Sequence, residues 1–229
     1  MNKIISTEER IFMSVVGPSG SGKTDLIFKM LIGRTFSPKF NQIFYFYKEM
    51  QQIYINVQQK LNIRFIRFTG FDNMPNLENC LVVFDDSCEE IYNEKEFVKL
   101  ATAGRHRGVH VIFVKHNLYH QSKKSRTIDL NTTHIILFKS PRDVQQVEVL
   151  GKQLNLTVFL KNCYQKATEG SFGHLLIDLS PKTSDFLRYC SNIVEPGPSV
   201  FYIPAKNAEI TKITNEKEKS LYAKAYAKT

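Results

Sequence analysis

Short runs of apolar residues alternate along the chain with stretches whose apolar residues recur every three or four positions. The runs have the length of buried strands and cover residues 11–16, 42–47, 63–68, 80–86, 109–115, 134–138, 174–179 and 200–203. Stretches with helical spacing cover residues 25–32, 50–61, 94–102 and 158–168. Strands buried on both faces and separated by helices are typical of a parallel sheet flanked by helices. The pattern predicts an α/β fold.

Cap and turn residues indicate where several elements begin and end. Ser140 is a suitable N-cap residue, and Pro141 a suitable first residue, for a further helix that runs through Leu150. A Pro-Gly-Pro sequence at 196–198 breaks the chain before the last apolar run. Residues 205–229 are rich in Lys, Glu and Ala, which predicts either a frayed helix or a disordered basic arm. We therefore expect one domain over residues 1–204 and a basic tail after it.

The segment between the first run and the first helix fits the phosphate-binding loop pattern G-x-x-x-x-G-K-[ST]. Glycines let such a loop curl tightly and turn its N–H groups onto an anion, at the N-terminus of the helix that follows. Lys23 would supply a positive charge to the β- and γ-phosphates, and Thr24 a hydroxyl ligand to Mg²⁺. The residues predicted to bind the nucleoside triphosphate are Gly17, Pro18, Ser19, Gly20, Ser21, Gly22, Lys23, Thr24 and Asp25.

A second chemical element follows about 60 residues later, where an apolar run ends in Asp85 and Asp86. This is the Walker B pattern, which places a carboxylate at the C-terminal end of a buried strand beside the phosphate loop. We assign Asp85, with Thr24, to the binding of Mg²⁺. We assign Asp86 to polarising the attacking water, with Glu89 or Glu90 as alternatives.

His116 and Asn117 come directly after the run 109–115. Ligands of doubly wound sheets bind at the C-terminal ends of the strands, so a polar side chain here can contact the γ-phosphate or the attacking water. The alternative is an ordinary polar cap at the end of a strand. The residues alone leave the two interpretations open.

The amino-acid composition indicates which kind of partner the protein has. The chain has 229 residues, with 42% hydrophobic and 23% charged residues, as expected for a globular domain. Its net charge of +9 indicates a polyanionic partner, either nucleic acid or an anionic membrane surface. Since no segment approaches the ~20 apolar residues of a membrane span, we expect none. The cysteines are scattered without a C-x-x-C pair, which argues against a zinc site or a disulfide framework.

At least one strand separates the phosphate-loop strand from the Walker B strand along the chain, and a second acid adjoins Asp85. Both features are typical of the division of phosphate-loop proteins that carries a catalytic carboxylate, rather than of kinases and GTPases. The blocks Gly104-Arg105-His106-Arg107-Gly108 and Asn117-Leu118-Tyr119-His120-Gln121 make the likeness more specific. Over roughly residues 11–180 the chain resembles the poxvirus-type and Polinton/Maverick-type DNA-packaging ATPases of the HerA–FtsK superfamily.

That resemblance implies a RecA-like P-loop NTPase fold and a homo-oligomeric ring. It also implies a sensor, which in these families is often Gln followed by Asn; here the role falls to His116 or Asn117. It further implies an arginine finger, supplied by a neighbouring subunit, that stabilises charge on the γ-phosphate. The candidates are Arg105, Arg107, Arg126 and Arg142; we favour Arg105 because we expect it beside the nucleotide-facing strand ends.

The function that follows is hydrolysis of ATP, with Mg²⁺, to translocate double-stranded DNA into a viral or virus-like capsid. Partners would be double-stranded DNA and a capsid portal or vertex protein, inside the host nucleus or a cytoplasmic virus factory, or in the virion. The alternative is a nucleotide-dependent switch, such as a partition NTPase acting on a protein partner. A small-molecule kinase is disfavoured, because the chain shows no lid or acceptor-site signature.

Overall fold

A computed structural model describes residues 3–58, 61–85, 91–92, 94–119, 123–194, 196–204 and 210–213. The α-helices in these ranges are α1 (Lys23–Ile32), α2 (Gln52–Gln58), α3 (Lys95–Ala103), α4 (Lys123–Leu130), α5 (Val144–Gln153) and α6 (Thr157–Ala167). The strands are β1 (Ile5–Ser6), β2 (Phe12–Val16), β3 (Phe36–Ser37), β4 (Ile43–Tyr47), β5 (Ile63–Arg67), β6 (Cys80–Phe84), β7 (Val109–Lys115), β8 (His134–Phe138), β9 (His174–Asp178), β10 (Tyr189–Ser191), β11 (Val200–Pro204) and β12 (Ile210–Ile213).

Ten of these strands form one sheet in the order β12-β11-β10-β9-β8-β2-β7-β6-β4-β5. The six strands β8, β2, β7, β6, β4 and β5 are parallel to one another. Strand β9 pairs antiparallel with β8, and β9 to β12 pair antiparallel in turn. The strand β2 therefore lies at the centre, between β7 and β8. Because the central strands are parallel, the segments that leave their C-terminal ends meet at one edge of the sheet.

Helices cover both faces of the sheet, which explains why its strands are nearly continuous apolar runs. Alternate residues of the central strands pack against α1 and α2 on one face, including Met13, Val83 and Ile112. The intervening residues pack on the other face, against α3 beside β6 and β7 and against α5 and α6 beside β8 and β9. The result is a three-layer α/β/α domain whose helices fix the strand ends on which the site is built.

Most predicted elements are present, with three differences. The helix expected from Pro141 begins at Val144, with Asp143 in place of Ser140 as its N-cap residue; the Ser140 hydroxyl donates to Asp143 Oδ2 at 2.6 Å. Strands β1, β3 and β10 were not expected. Residues 210–213, expected in a frayed helix or a disordered arm, form β12 and pair with β11, so the sheet extends beyond residue 204.

Within the part of the chain that the structure describes, no helix is long and apolar enough to cross a bilayer. The cysteines in the same ranges, Cys80, Cys163 and Cys190, are buried thiols. Burial raises the pKa of Cys163 and of Cys190 to about 12, so these side chains serve as small apolar groups of the core.

Candidate nucleotide-binding site

The phosphate loop leaves the central strand β2 and leads into α1, as the sequence predicts. Its first residue is held to the neighbouring strand, because the Gly17 N–H donates to the carbonyl oxygen of Lys115 at 3.1 Å. Gly20 and Gly22 have φ angles of 75° and 94°, which side chains disfavour. The loop therefore curls back over the start of α1, whose first N–H groups face its interior.

The loop's polar side chains fit a bound phosphate. Lys23 is buried, and its ammonium donates to the carbonyl oxygens of Gly17 and Pro18 at 2.8 Å each. The hydroxyl of Ser21 is also buried and has no hydrogen-bond partner among the described residues. A phosphate oxygen inside the loop would satisfy that hydroxyl and would draw the ammonium from the carbonyl groups. Asp25, in the first turn of α1, pairs with Lys29 at 2.6 Å on the exposed side of the helix.

Asp85 lies at the end of β6, fully buried, and is brought to the loop across the intervening strand β7. One of its carboxylate oxygens, Oδ2, accepts a hydrogen bond from the hydroxyl of Thr24 at 2.9 Å. The two residues predicted to hold Mg²⁺ are thus in direct contact. Both offer hard oxygen ligands beside the phosphate loop, so the donor set fits that cation.

Two tyrosines that the sequence did not single out also donate hydrogen bonds to this carboxylate. The hydroxyl of Tyr45, on β4, donates to Asp85 Oδ2 at 2.5 Å, and the hydroxyl of Tyr54, on α2, donates to the same oxygen at 3.3 Å. Both rings are buried and pack against Phe28 of α1 and Phe65 of β5. The aromatic cluster and its hydroxyl groups thus fix the position of Asp85.

The remaining predicted groups have different outcomes. His116 and Asn117 follow β7 and are exposed beside the start of the phosphate loop, at the same edge of the sheet as Asp85. Asp86 and its alternatives Glu89 and Glu90 lie outside the described residues. Their roles stay predictions.

The expected position of Arg105 is wrong. It belongs to the turn Gly104–Arg107, which precedes β7, so it lies at the opposite edge of the sheet from the phosphate loop. Its neighbour there is Arg10, which precedes β2; burial, and then the charge of Arg105, lower the pKa of Arg10 to about 10. Arg107 shares this turn. The candidate at the nucleotide-facing edge is Arg142, which is exposed on the loop that leaves β8.

No family model matches the chain, and no curated protein matches it either. Solved structures do match. The genome packaging NTPase B204 from Sulfolobus turreted icosahedral virus 2, in complex with ATP-gammaS, is 15% identical over 82% of this chain and 97% of its own, with a TM-score of 0.51. The DNA-packaging ATPase B204 from Sulfolobus turreted icosahedral virus is 13% identical over 86% of this chain and 100% of its own, with a TM-score of 0.51.

At this identity the likeness concerns the fold. The chain has the architecture of those NTPases, a large and mostly parallel sheet flanked by helices. The predicted fold class, an α/β fold of the P-loop NTPase type, is confirmed.

Proposed function

We propose that this chain is an ATPase that packages double-stranded DNA into a viral or virus-like capsid. The observation that carries the proposal is the meeting of Lys23, Thr24 and Asp85 at one edge of the sheet, with Thr24 bonded to Asp85. Similarity of fold to viral genome-packaging NTPases supports the packaging role over other uses of the same chemistry. It also supports the HerA–FtsK type of motor that the sequence resembles.

Each residue of the site has a distinct role in the proposed hydrolysis. N–H groups of the loop and the ammonium of Lys23 bind the β- and γ-phosphates. Thr24 and Asp85 would hold Mg²⁺, which when bound offsets the charge of these phosphates. Asp86 orients the attacking water and accepts its proton, and His116 or Asn117 contacts the γ-phosphate.

The turn Gly104–Arg107 suits contact with the phosphate backbone of DNA. It presents Arg105, His106 and Arg107, all exposed, and no ion pair engages either arginine among the described residues. The turn is held rigidly, since Asn79 donates its N–H to the carbonyl of Arg107 at 2.8 Å. Gly108, with a φ angle of 63°, packs so closely on Asn79 that a larger residue would not fit. Such contacts hold a duplex without reading its sequence.

A motor of this kind works as a homo-oligomeric ring at a capsid portal or vertex protein. We place it inside the host, in the nucleus or a cytoplasmic virus factory, or in the virion. The net charge of +9 agrees with a polyanionic substrate held by every subunit.

The test is ATP hydrolysis by the purified chain, with and without double-stranded DNA of unrelated sequences. We expect stimulation by any duplex, and loss of hydrolysis in Lys23→Ala and Asp86→Asn. Lys29→Ala is the matched control, because Lys29 lies on the same helix but is exposed and pairs only with Asp25 among the described carboxylates. Hydrolysis that ignores DNA would contradict a motor and would favour a nucleotide-dependent switch acting on a protein partner.

A further inference from the structure

Phe172 is a large apolar side chain that the proposed chemistry leaves unused. It lies in the loop between α6 and β9 and is 69% exposed. Its φ angle is 60°, a left-handed conformation that bulky residues rarely adopt. A strained and exposed aromatic residue at the edge of a candidate site indicates a role other than packing.

The ring of Phe172 lies directly against the phosphate loop. A Cβ atom placed on Gly22 would come within 2.9 Å of Phe172 Cδ1. Any residue other than glycine at position 22 would therefore displace the ring, in addition to resisting the φ angle of 94°. The loop and the ring are packed as one surface.

Hydrogen bonds hold the backbone on both sides of Phe172. The Gly173 N–H donates to the carbonyl oxygen of Gly170 at 3.1 Å, which closes the turn around Phe172. The carbonyl oxygen of Phe172 accepts a hydrogen bond from Nδ1 of His174 at 3.2 Å. Burial lowers the pKa of His174, which favours the neutral ring.

His174 in turn packs against Phe138, with ring centroids 5.5 Å apart. Phe138 ends β8 and packs on the first residue of the phosphate loop, since a Cβ atom placed on Gly17 would lie 2.7 Å from Phe138 Cβ. Phe172 thus contacts one end of the loop directly, at Gly22, and is connected to the other end, Gly17, through His174 and Phe138. Its ring has a fixed position beside the loop.

The strand order gives the direction in which a nucleotide would lie. Asp85, which we assign to Mg²⁺, is on the β6 side of β2, with β7 between them. Phe172 precedes β9 and approaches the loop from the β8 side. If the γ-phosphate faces Asp85, the other end of the nucleotide points toward Phe172.

We propose that Phe172 is the platform on which the nucleobase of ATP stacks. This inference rests on the proposed function, because it assumes that phosphates occupy the loop. An exposed aromatic face suits a nucleobase, which brings a large π-surface and little charge. Stacking supplies affinity for the base while the loop binds the phosphates.

The test compares a ligand that has a base with one that has none. Binding of a non-hydrolysable ATP analogue and of inorganic tripolyphosphate is measured by calorimetry, with Mg²⁺. We expect Phe172→Ala to weaken binding of the ATP analogue roughly 5- to 100-fold, since base stacking contributes this much affinity. Binding of tripolyphosphate should stay unchanged. Phe186→Ala is the matched control, because Phe186 is also exposed (59%) but precedes β10, at the opposite edge of the sheet.

A second variant gives an optical signal, because the chain contains no tryptophan. Phe172→Trp would report stacking as a change of fluorescence caused by the ATP analogue and not by tripolyphosphate. Equal responses to the two ligands, or full ATP affinity in Phe172→Ala, would overturn the platform while the proposed function stands. Failure of the unaltered protein to bind either ligand would overturn the proposed function itself, and the platform with it.

Discussion

Three hydroxyl groups converge on one oxygen of Asp85, from Thr24, Tyr45 and Tyr54. The shortest of these bonds comes from Tyr45, at 2.5 Å. Residues that orient a metal ligand typically contribute 10- to 100-fold to metal affinity. We expect Tyr45→Phe to raise the Mg²⁺ concentration for half-maximal ATP hydrolysis about tenfold, since the carboxylate loses its strongest donor. Titration of hydrolysis with Mg²⁺ measures this shift.

The matched control for that variant is Tyr47→Phe. Tyr47 lies two residues farther along β4, is half-buried, and packs its ring against Tyr54 with centroids 5.4 Å apart. If the shift in Mg²⁺ requirement comes from the hydrogen bond to Asp85, loss of the Tyr47 hydroxyl should leave that requirement unchanged. Equal Mg²⁺ requirements for Tyr45→Phe and the unaltered protein would show that Tyr45 has no part in positioning the carboxylate.

A second buried carboxylate, Asp178, serves stability. Its Oδ2 pairs with the ammonium of Lys3 at 2.8 Å, and both side chains are 4% exposed. Removing one partner of a buried pair leaves a charge without compensation, which typically costs about 3–5 kcal/mol. We expect Lys3→Met to lower the free energy of unfolding by about 3 kcal/mol at neutral pH. Urea denaturation measures this free energy of unfolding. The double variant Lys3→Met with Asp178→Asn should recover part of the lost stability.

The same carboxylate gives the stability a pH dependence. Burial alone would raise the pKa of Asp178, but the hydrogen bond and charge of His134, together with Lys3, outweigh it and hold that pKa below its ordinary value of 3.8. The stabilisation is thus present above pH 3.8 and is lost as the pH falls below it. The unaltered protein should lose more stability between neutral pH and pH 3 than Asp178→Asn does; parallel losses would contradict this.

At the scale of elements, the contact between α5 and α6 depends on Gly151. A Cβ atom placed there would lie 2.7 Å from Cα of Thr157, a backbone atom that cannot move aside easily. Alanine gains about 1 kcal/mol of helix propensity over glycine, whereas overpacking costs about 1–3 kcal/mol. We expect the clash to dominate, so that Gly151→Ala lowers the free energy of unfolding by about 1–2 kcal/mol.

Gly170→Ala provides the comparison in the same denaturation experiment. A Cβ atom placed on Gly170 would meet nothing within 4 Å, so its substitution should change stability by less than about 0.5 kcal/mol. Equal free energies of unfolding for Gly151→Ala and the unaltered protein would contradict this expectation. They would show that α5 and α6 can move apart without loss of stability.

The elements predicted best from the sequence are those whose pattern is complete within the element. The bounds of β7 and β8 agree with prediction because each strand contains four consecutive apolar residues, 111–114 and 135–138. Helix α5 starts later than its cap residue suggested, because the N–H of Ser140 donates to the hydroxyl of Tyr164 on α6. A contact with a separate helix cannot be inferred from local pattern. The two-residue strands β1 and β3 are too short to show any periodicity.

The site residues, too, differ in how well the sequence predicts them. Contiguous motifs single out the phosphate loop and Asp85, because each motif consists of consecutive residues. The structure brings Thr24 of that loop into contact with Asp85, and the roles of the two residues stay predictions. Tyr45 and Tyr54 reach Asp85 only because β4 pairs with β6, which sequence spacing does not reveal. Arg105 was misplaced because a turn before a strand was taken to lie at the nucleotide-facing end of that strand.

At the scale of the whole molecule, the two edges of the sheet carry different chemistry. The nucleotide-facing edge holds the phosphate loop, Asp85 and the loop with Arg142. The opposite edge presents the basic turn with Arg105 and Arg107. The function that we propose, ATP hydrolysis coupled to DNA movement, needs both surfaces. Because the two surfaces lie at opposite edges, we expect substitutions at the first edge to change ATP turnover and substitutions at the second to change DNA binding.

We therefore expect Arg142→Ala to lower the turnover of ATP about 1,000-fold, because a guanidinium that stabilises charge on the γ-phosphate contributes at least that much. Arg105→Ala should leave turnover without DNA unchanged and should weaken DNA binding, since it removes a phosphate contact. ATPase rates and duplex affinity, measured on both variants at one salt concentration, check the two expectations. Loss of DNA-free turnover in Arg105→Ala would return that residue to the role of arginine finger.

Mixing variants then shows whether the arginine acts within its own subunit or on the next one. Subunits with Lys23→Ala cannot bind nucleotide but keep Arg142, whereas subunits with Arg142→Ala bind nucleotide without the arginine. In a ring with head-to-tail contacts, an equal mixture restores about a quarter of the sites if the arginine reaches the neighbouring subunit. If Arg142 acts on its own nucleotide, every subunit lacks one essential group and the mixture stays inactive. Recovery of activity would thus place Arg142 at the subunit interface and show that hydrolysis requires the assembled ring.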